Sequence, residues 1–115
     1  GCGVAALCAL HAAFERPDVK VSGLLVASPR IGTPEMAAVL RHMLTVINIA
    51  DPFPALPPSL FPKSIFRGSE NYRYAHMGRV LAFNEFAPTI MNMHGVFPYW
   101  KFIATTLGSG GEGPL

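Results

Sequence analysis

The feature that most constrains this chain is an apolar, β-branched run that leads into an aspartate and a proline-rich loop. Residues 45–49 read Thr-Val-Ile-Asn-Ile, which is typical of a buried strand, and Asp51-Pro52 follows one residue later. Five prolines within residues 52–62 exclude a helix or a central strand and predict an extended loop. We therefore expect the Asp51 carboxylate at the C-terminal end of a strand, where open α/β sheets place their chemistry. A plain Asp-Pro turn remains the alternative.

A strand-helix-strand pattern leads up to this aspartate. Residues 19–27 (VKVSGLLVA) end in an unbroken apolar run, which predicts a strand covered on both faces and hence a parallel sheet. Thr33 and Pro34 supply an N-cap and a first-turn proline for a helix that is predicted to continue through residues 36–43. A unit of this size predicts a right-handed parallel crossover. Residues 1–15 are apolar on nearly every side, which predicts a buried helix.

The second half of the chain is predicted to add strands and a last helix. Residues 72–75 and 78–83 are predicted to be strands, and the His-Met-Gly sequence around their junction predicts a hairpin. Residues 96–106 predict a final helix with a proline in its first turn, and the glycine-rich residues 108–115 predict a disordered tail. The predicted fold class is therefore α/β, with a mostly parallel sheet flanked by helices.

Composition and charge exclude several classes of protein. The chain has 115 residues, half of them apolar and 14% charged, which indicates one folded domain and excludes disorder. A net charge of +2 with no basic cluster gives no basis for nucleic-acid binding. No apolar run reaches the roughly 18 residues of a spanning helix, and no segment identifies a compartment. Cys2 and Cys8 face apart on one predicted helix, so we expect free thiols, the usual state inside cells.

Four segments, in this order, resemble one protein family. They read Gly-Cys-Gly-Val-Ala-Ala-Leu at residues 1–7, Ala-Ser-Pro-Arg-Ile-Gly at 27–32, Asn-x-x-Asp-x-Phe-Pro-x-Leu-Pro-Pro at 48–58, and Tyr-x-His-x-Gly at 74–78. Together they resemble the fungal-type (class 3) triacylglycerol lipases of the α/β-hydrolase superfamily, over roughly residues 1 to 103. The resemblance implies that residues 1–107 are the C-terminal part of an α/β-hydrolase domain.

The same resemblance implies a set of functional residues. Asp51 corresponds to the acid of the catalytic triad and His94 to its base, while Gly1 corresponds to the last glycine of the G-x-S-x-G nucleophile elbow. The nucleophile serine and part of the oxyanion hole would then precede Gly1, and that upstream segment of the same protein would be needed. The implied substrates are acylglycerols or related lipid esters, with transient contact to a lipid surface and with no cofactor and no metal. In α/β-hydrolases the triad residues follow one another along the chain in the order serine, aspartate, histidine, which this assignment reproduces.

Other interpretations remain open at this stage. The chain could be a catalytically inactive, lipase-like module that binds lipid or protein. A metal-dependent hydrolase could be built from the side chains of four residues, although none of them has the spacing of metal ligands: Asp51, Glu70, His76 and His94. Ser28 is excluded as a nucleophile, because alanine and proline flank it where an elbow requires glycines.

Each of the four histidines could also have a purely structural role. His94 precedes Gly95 and could cap the last helix rather than act in catalysis. His76 is predicted to be a hydrogen-bonded structural residue. His11 and His42 fall within predicted helices and are expected at surface or packing positions.

Overall fold

The computed structural model describes residues 1–62 and 71–107, so the predicted tail 108–115 and Glu70 lie outside the described residues. No helix in these two ranges is long and apolar enough to cross a bilayer. The elements are α1 (Cys2–Glu15), β1 (Gly23–Val26), α2 (Pro34–Val39), β2 (Met43–Asn48), a 3-10 turn (Phe53–Ala55), β3 (Leu60–Pro62), β4 (Asn71–Arg73), β5 (Arg79–Phe83), α3 (Ile90–His94) and α4 (Val96–Leu107).

The main sheet has three strands in the order β1-β2-β5, and both pairs are parallel. Leu25 lies opposite Thr45 in the first pair, and Thr45 lies opposite Val80 in the second. The central strand β2 is buried along most of its length, as its β-branched sequence predicts. The structure therefore confirms a mixed α/β architecture with a mostly parallel sheet. A separate antiparallel pair joins β3 to β4.

Helices pack on both faces of this sheet. Side chains alternate along β1 and β2, and one face carries Leu25 and Met43, which join residues of α1 and α2 in the core. The other face carries Val46 and Asn48, against which α4 packs. α2 begins as predicted, because the Thr33 hydroxyl accepts a hydrogen bond from the Met36 amide at 3.2 Å. It ends earlier than predicted, since Met43 already belongs to β2.

The predicted hairpin between residues 72–75 and 78–83 is wrong. β4 pairs with β3, whereas β5 runs parallel to β2. Gly78 explains the path between them: its φ is +64°, and a Cβ atom there would lie only 2.2 Å from the carbonyl oxygen of Met43. The chain thus uses Gly78 to pass closely beneath the start of β2 rather than to turn back on β4.

The prediction that α1 is buried is also wrong for the described residues. Ala6 is fully buried, whereas Val4, Leu7 and Phe14 are 68%, 59% and 67% exposed. β1 is shorter than predicted, and it is not covered on both faces by the described residues, because Leu24 is half exposed. Among the described residues, no element covers the outer surface of α1, and Leu24, on the opposite face of the sheet from α1, is also left partly open.

Candidate active site

Asp51 lies at the C-terminal end of β2, three residues after the strand ends, and is 2% exposed. The turn that carries it is built by Asn48, which is fully buried. The Asn48 side-chain oxygen accepts hydrogen bonds from the amides of Ala50 (3.1 Å) and Glu85 (2.9 Å), and its Nδ2 donates to the Glu85 carbonyl (2.8 Å). The Asp51 amide donates to the Asn48 carbonyl at 3.0 Å and closes the turn. Asn48 therefore joins the end of β2 to the segment after β5.

The buried carboxylate of Asp51 accepts three hydrogen bonds. Oδ1 accepts from the Phe53 amide at 3.0 Å. Oδ2 accepts from Nδ1 of His94 at 2.7 Å and from the hydroxyl of Tyr99 at 2.5 Å. A buried charge is tolerated when donors surround it in this way.

His94 is the last residue of α3, a short helix whose N-cap is Thr89. Its side chain is 38% exposed, whereas that of Asp51 is fully buried. The ring of Phe53 packs against the imidazole with 4.3 Å between the ring centroids. Because the carboxylate accepts, Nδ1 donates, and in the neutral imidazole Nε2 carries the free lone pair and points away from Asp51. This arrangement suits a general base.

Two cavities meet at His94. The first, here called the proline-loop cavity, has a volume of about 330 Å³, and Gly1, Phe53 and His94 are among its lining residues. The second, here called the helix cavity, has a volume of about 450 Å³ and lies between the end of β1 and α4. Both are lined by Val26, Ala27 and His94. The imidazole therefore lies where the start of the chain, the proline loop and α4 come together.

The proline loop is held by Arg30, which belongs to the Ala-Ser-Pro-Arg-Ile-Gly motif. Its Nη1 donates to the carbonyl oxygens of Ala55 (2.6 Å) and Pro57 (3.0 Å), and its amide donates to the Leu56 carbonyl (2.9 Å). Two of the sequence motifs thus contact each other directly. Ser28 of the same motif is 1% exposed, and its hydroxyl donates to the Pro29 carbonyl, so this hydroxyl is not accessible from solvent.

The remaining histidines lie elsewhere. His11 and His42 are exposed. His76 is half-buried, and its pKa is lowered by burial and by the Arg30 cation, an effect that the Pro54 carbonyl opposes. The Pro54 carbonyl acts on the His76 ring through a hydrogen bond, whereas Nδ1 is buried and has no hydrogen-bond partner within the described part of the chain.

The described residues contain neither a candidate metal centre nor a disulfide. Among residues 1–62 and 71–107, no three His, Cys, Asp or Glu side chains come together in a way that could hold a metal ion, and Glu70 lies outside these ranges. Cys2 and Cys8 are both free thiols, as predicted.

Sequence reasoning missed the contribution of Tyr99. The sequence marks it only as one of several aromatic residues in the final helix, yet its hydroxyl binds the Asp51 carboxylate. Burial raises the pKa of Tyr99 well above its ordinary value, and the hydrogen bond to Asp51 raises it further. No local pattern could have found it, because the contact joins two residues that are 48 apart in the chain.

Comparison with models of known protein families, with curated proteins and with solved structures found no match. The lipase resemblance therefore rests on the four sequence motifs and stays a prediction.

Proposed function

We propose that this chain is the C-terminal part of a serine lipase or esterase that hydrolyses acylglycerols or related lipid esters. In this proposal Asp51 is the acid and His94 the base of a Ser-His-Asp triad. The observation that carries it is the 2.7 Å hydrogen bond between His94 Nδ1 and Asp51 Oδ2 at the C-terminal edge of a parallel sheet. The aspartate would fix the imidazole tautomer and stabilise the imidazolium that forms when Nε2 takes the serine proton.

The position of Gly1 supports a nucleophile just upstream. Gly1 and His94 line the same cavity of about 330 Å³. A serine two residues before Gly1 would have its Cα within about 7 Å of the Gly1 Cα, because an extended chain spans at most about 3.6 Å per residue. Such a serine would lie in the neighbourhood of Nε2, and the residue between it and Gly1 could provide an oxyanion-hole amide.

The surroundings of the site support an apolar substrate. Residues 86–100 contain no Asp, Glu, Lys or Arg. The cavity rims carry exposed apolar side chains on the proline loop (Phe53 and Leu56) and on α4 (Val96 and Trp100). A rim of this composition favours acyl chains and brief contact with a lipid surface.

The residues that precede Gly1 in the full-length protein provide the first test. We expect G-x-S-x directly before Gly1, in a protein that hydrolyses a short-chain p-nitrophenyl ester and is inactivated by a serine-directed phosphonate. The 115-residue chain alone should show no turnover, because it lacks the nucleophile. Turnover by this chain alone that the phosphonate abolishes would contradict the proposal. Any other residue at the serine position would instead favour the inactive lipid-binding or interaction module.

A further inference from the structure

The hydroxyl of Tyr99 lies between the backbone of β2 and the carboxylate of Asp51. It accepts a hydrogen bond from the Asn48 amide at 3.3 Å and donates one to Asp51 Oδ2 at 2.5 Å. Tyr99 is 2% exposed, so water does not compete for these contacts. The hydroxyl therefore connects the end of β2 to the carboxylate through two buried hydrogen bonds.

The direction of this connection is fixed by the chemistry of its ends. A backbone amide can only donate, so the Tyr99 oxygen accepts from Asn48 and its proton points to Asp51. Burial, together with the hydrogen bond to Asp51, raises the pKa of Tyr99 far above neutral pH. The hydroxyl therefore stays protonated and donates throughout the pH range in which an imidazole can act as a base.

Tyr99 and His94 bind the same oxygen of Asp51, while the other oxygen accepts from the Phe53 amide. With one donor on Oδ1 and two on Oδ2, the carboxylate has no freedom to rotate. We propose that Tyr99 is a positioning residue, which holds Oδ2 where His94 Nδ1 binds it and thereby directs Nε2 to the cleft. This inference rests on the proposed function and adds to it a residue that acts through Asp51.

The test compares Tyr99→Phe with wild type in the full-length protein that contains this chain. Phenylalanine keeps the ring that lines the helix cavity, so we expect KM to stay unchanged while kcat falls about tenfold, the loss typical of one hydrogen bond to a charged group. Tyr74→Phe is the matched control, since it removes a hydroxyl from a partly buried tyrosine outside the site. It should leave both constants unchanged.

A second readout needs no turnover. We expect the proton between His94 Nδ1 and Asp51 to give a downfield NMR resonance, which Asp51→Asn should abolish and Tyr74→Phe should leave in place. Tyr99→Phe should move this resonance, because Oδ2 then accepts from Nδ1 alone. A merely structural role would lower Tm without moving the resonance or kcat at temperatures below the melt.

The two proposals fail in different ways. If wild type turns over ester and Asp51→Asn is inactive, but Tyr99→Phe keeps wild-type kcat and an unchanged resonance, the positioning role is overturned. If wild type turns over no ester, the proposed function fails, and the resonance in Tyr99→Phe alone then decides whether the hydroxyl positions the pair.

Discussion

The polar end of β2 and the apolar edge formed by α1 and β1 are built in opposite ways. At the polar end, Asn48 and Asp51 are buried and bind donors and acceptors on five other residues: Ala50, Phe53, Glu85, His94 and Tyr99. The apolar edge, defined by Val4, Leu7, Phe14 and Leu24, exposes half or more of each side chain. The described residues thus provide partners for the polar groups at the end of β2 but leave these four apolar side chains uncovered.

The strand β1 shows the contrast within four residues. Leu25 is 2% exposed and packs into the core, whereas its neighbour Leu24 is half exposed. The far side of β1 has no strand neighbour among the described residues. This asymmetry supports the proposal that a segment preceding Gly1 in the same protein covers the edge.

The largest expected effect concerns that apolar edge. We expect residues 1–115 expressed alone not to form a stable monomer, because an open strand edge and several exposed apolar side chains promote association. Sedimentation should show aggregates, and amides in Gly23–Val26 should exchange rapidly, whereas the full-length protein should melt cooperatively. A soluble monomer with protected amides in β1 would show that the edge needs no cover.

The second-largest expected effect is a loss of kcat when the polar end is changed in the full-length protein. Asp51→Asn should preserve the fold and reduce kcat by about 10³- to 10⁴-fold, because the imidazole loses the acid that fixes its tautomer. Steady-state kinetics with a p-nitrophenyl ester, together with circular dichroism, measures both properties. Asp18→Asn is the control, since that carboxylate is exposed and pairs only with Arg16 among the described residues. An unchanged kcat would reduce Asp51 to a turn residue.

The smallest expected effect is on the stability of the polar end rather than on catalysis. Asn48→Ala removes three partly buried hydrogen bonds to Ala50 and Glu85, and we expect the free energy of unfolding to fall by about 2–3 kcal/mol. Urea unfolding of the full-length protein measures this loss. Asn84→Ala, at an exposed position, should change it by less than about 0.5 kcal/mol. Equal losses in the two variants would mean that Asn48 does not organise the polar end.

Local chemistry made several elements predictable. The cap at Thr33, the proline in the first turn of α4 and the position of Asp51 after β2 depend on residues close in sequence, and the structure agrees with each. Strand pairing depends on distant residues, which explains the failed hairpin: residues 79–83 do form a strand, but β2 and not β4 pairs with it. Periodicity likewise identified the apolar character of α1, but it carries no information on what covers the helix.

The contacts that assemble the candidate site join residues far apart in the chain. Asp51 and His94 are 43 residues apart, and Asp51 and Tyr99 are 48 residues apart. Closing segments of this length costs entropy, which the packing of β5 on β2 offsets only when the sheet has formed. A fluctuation that releases α3 and α4 therefore separates base from acid while the parallel strands stay paired. We therefore expect the contact between Asp51 and His94 to form after the parallel sheet during folding and to break before it.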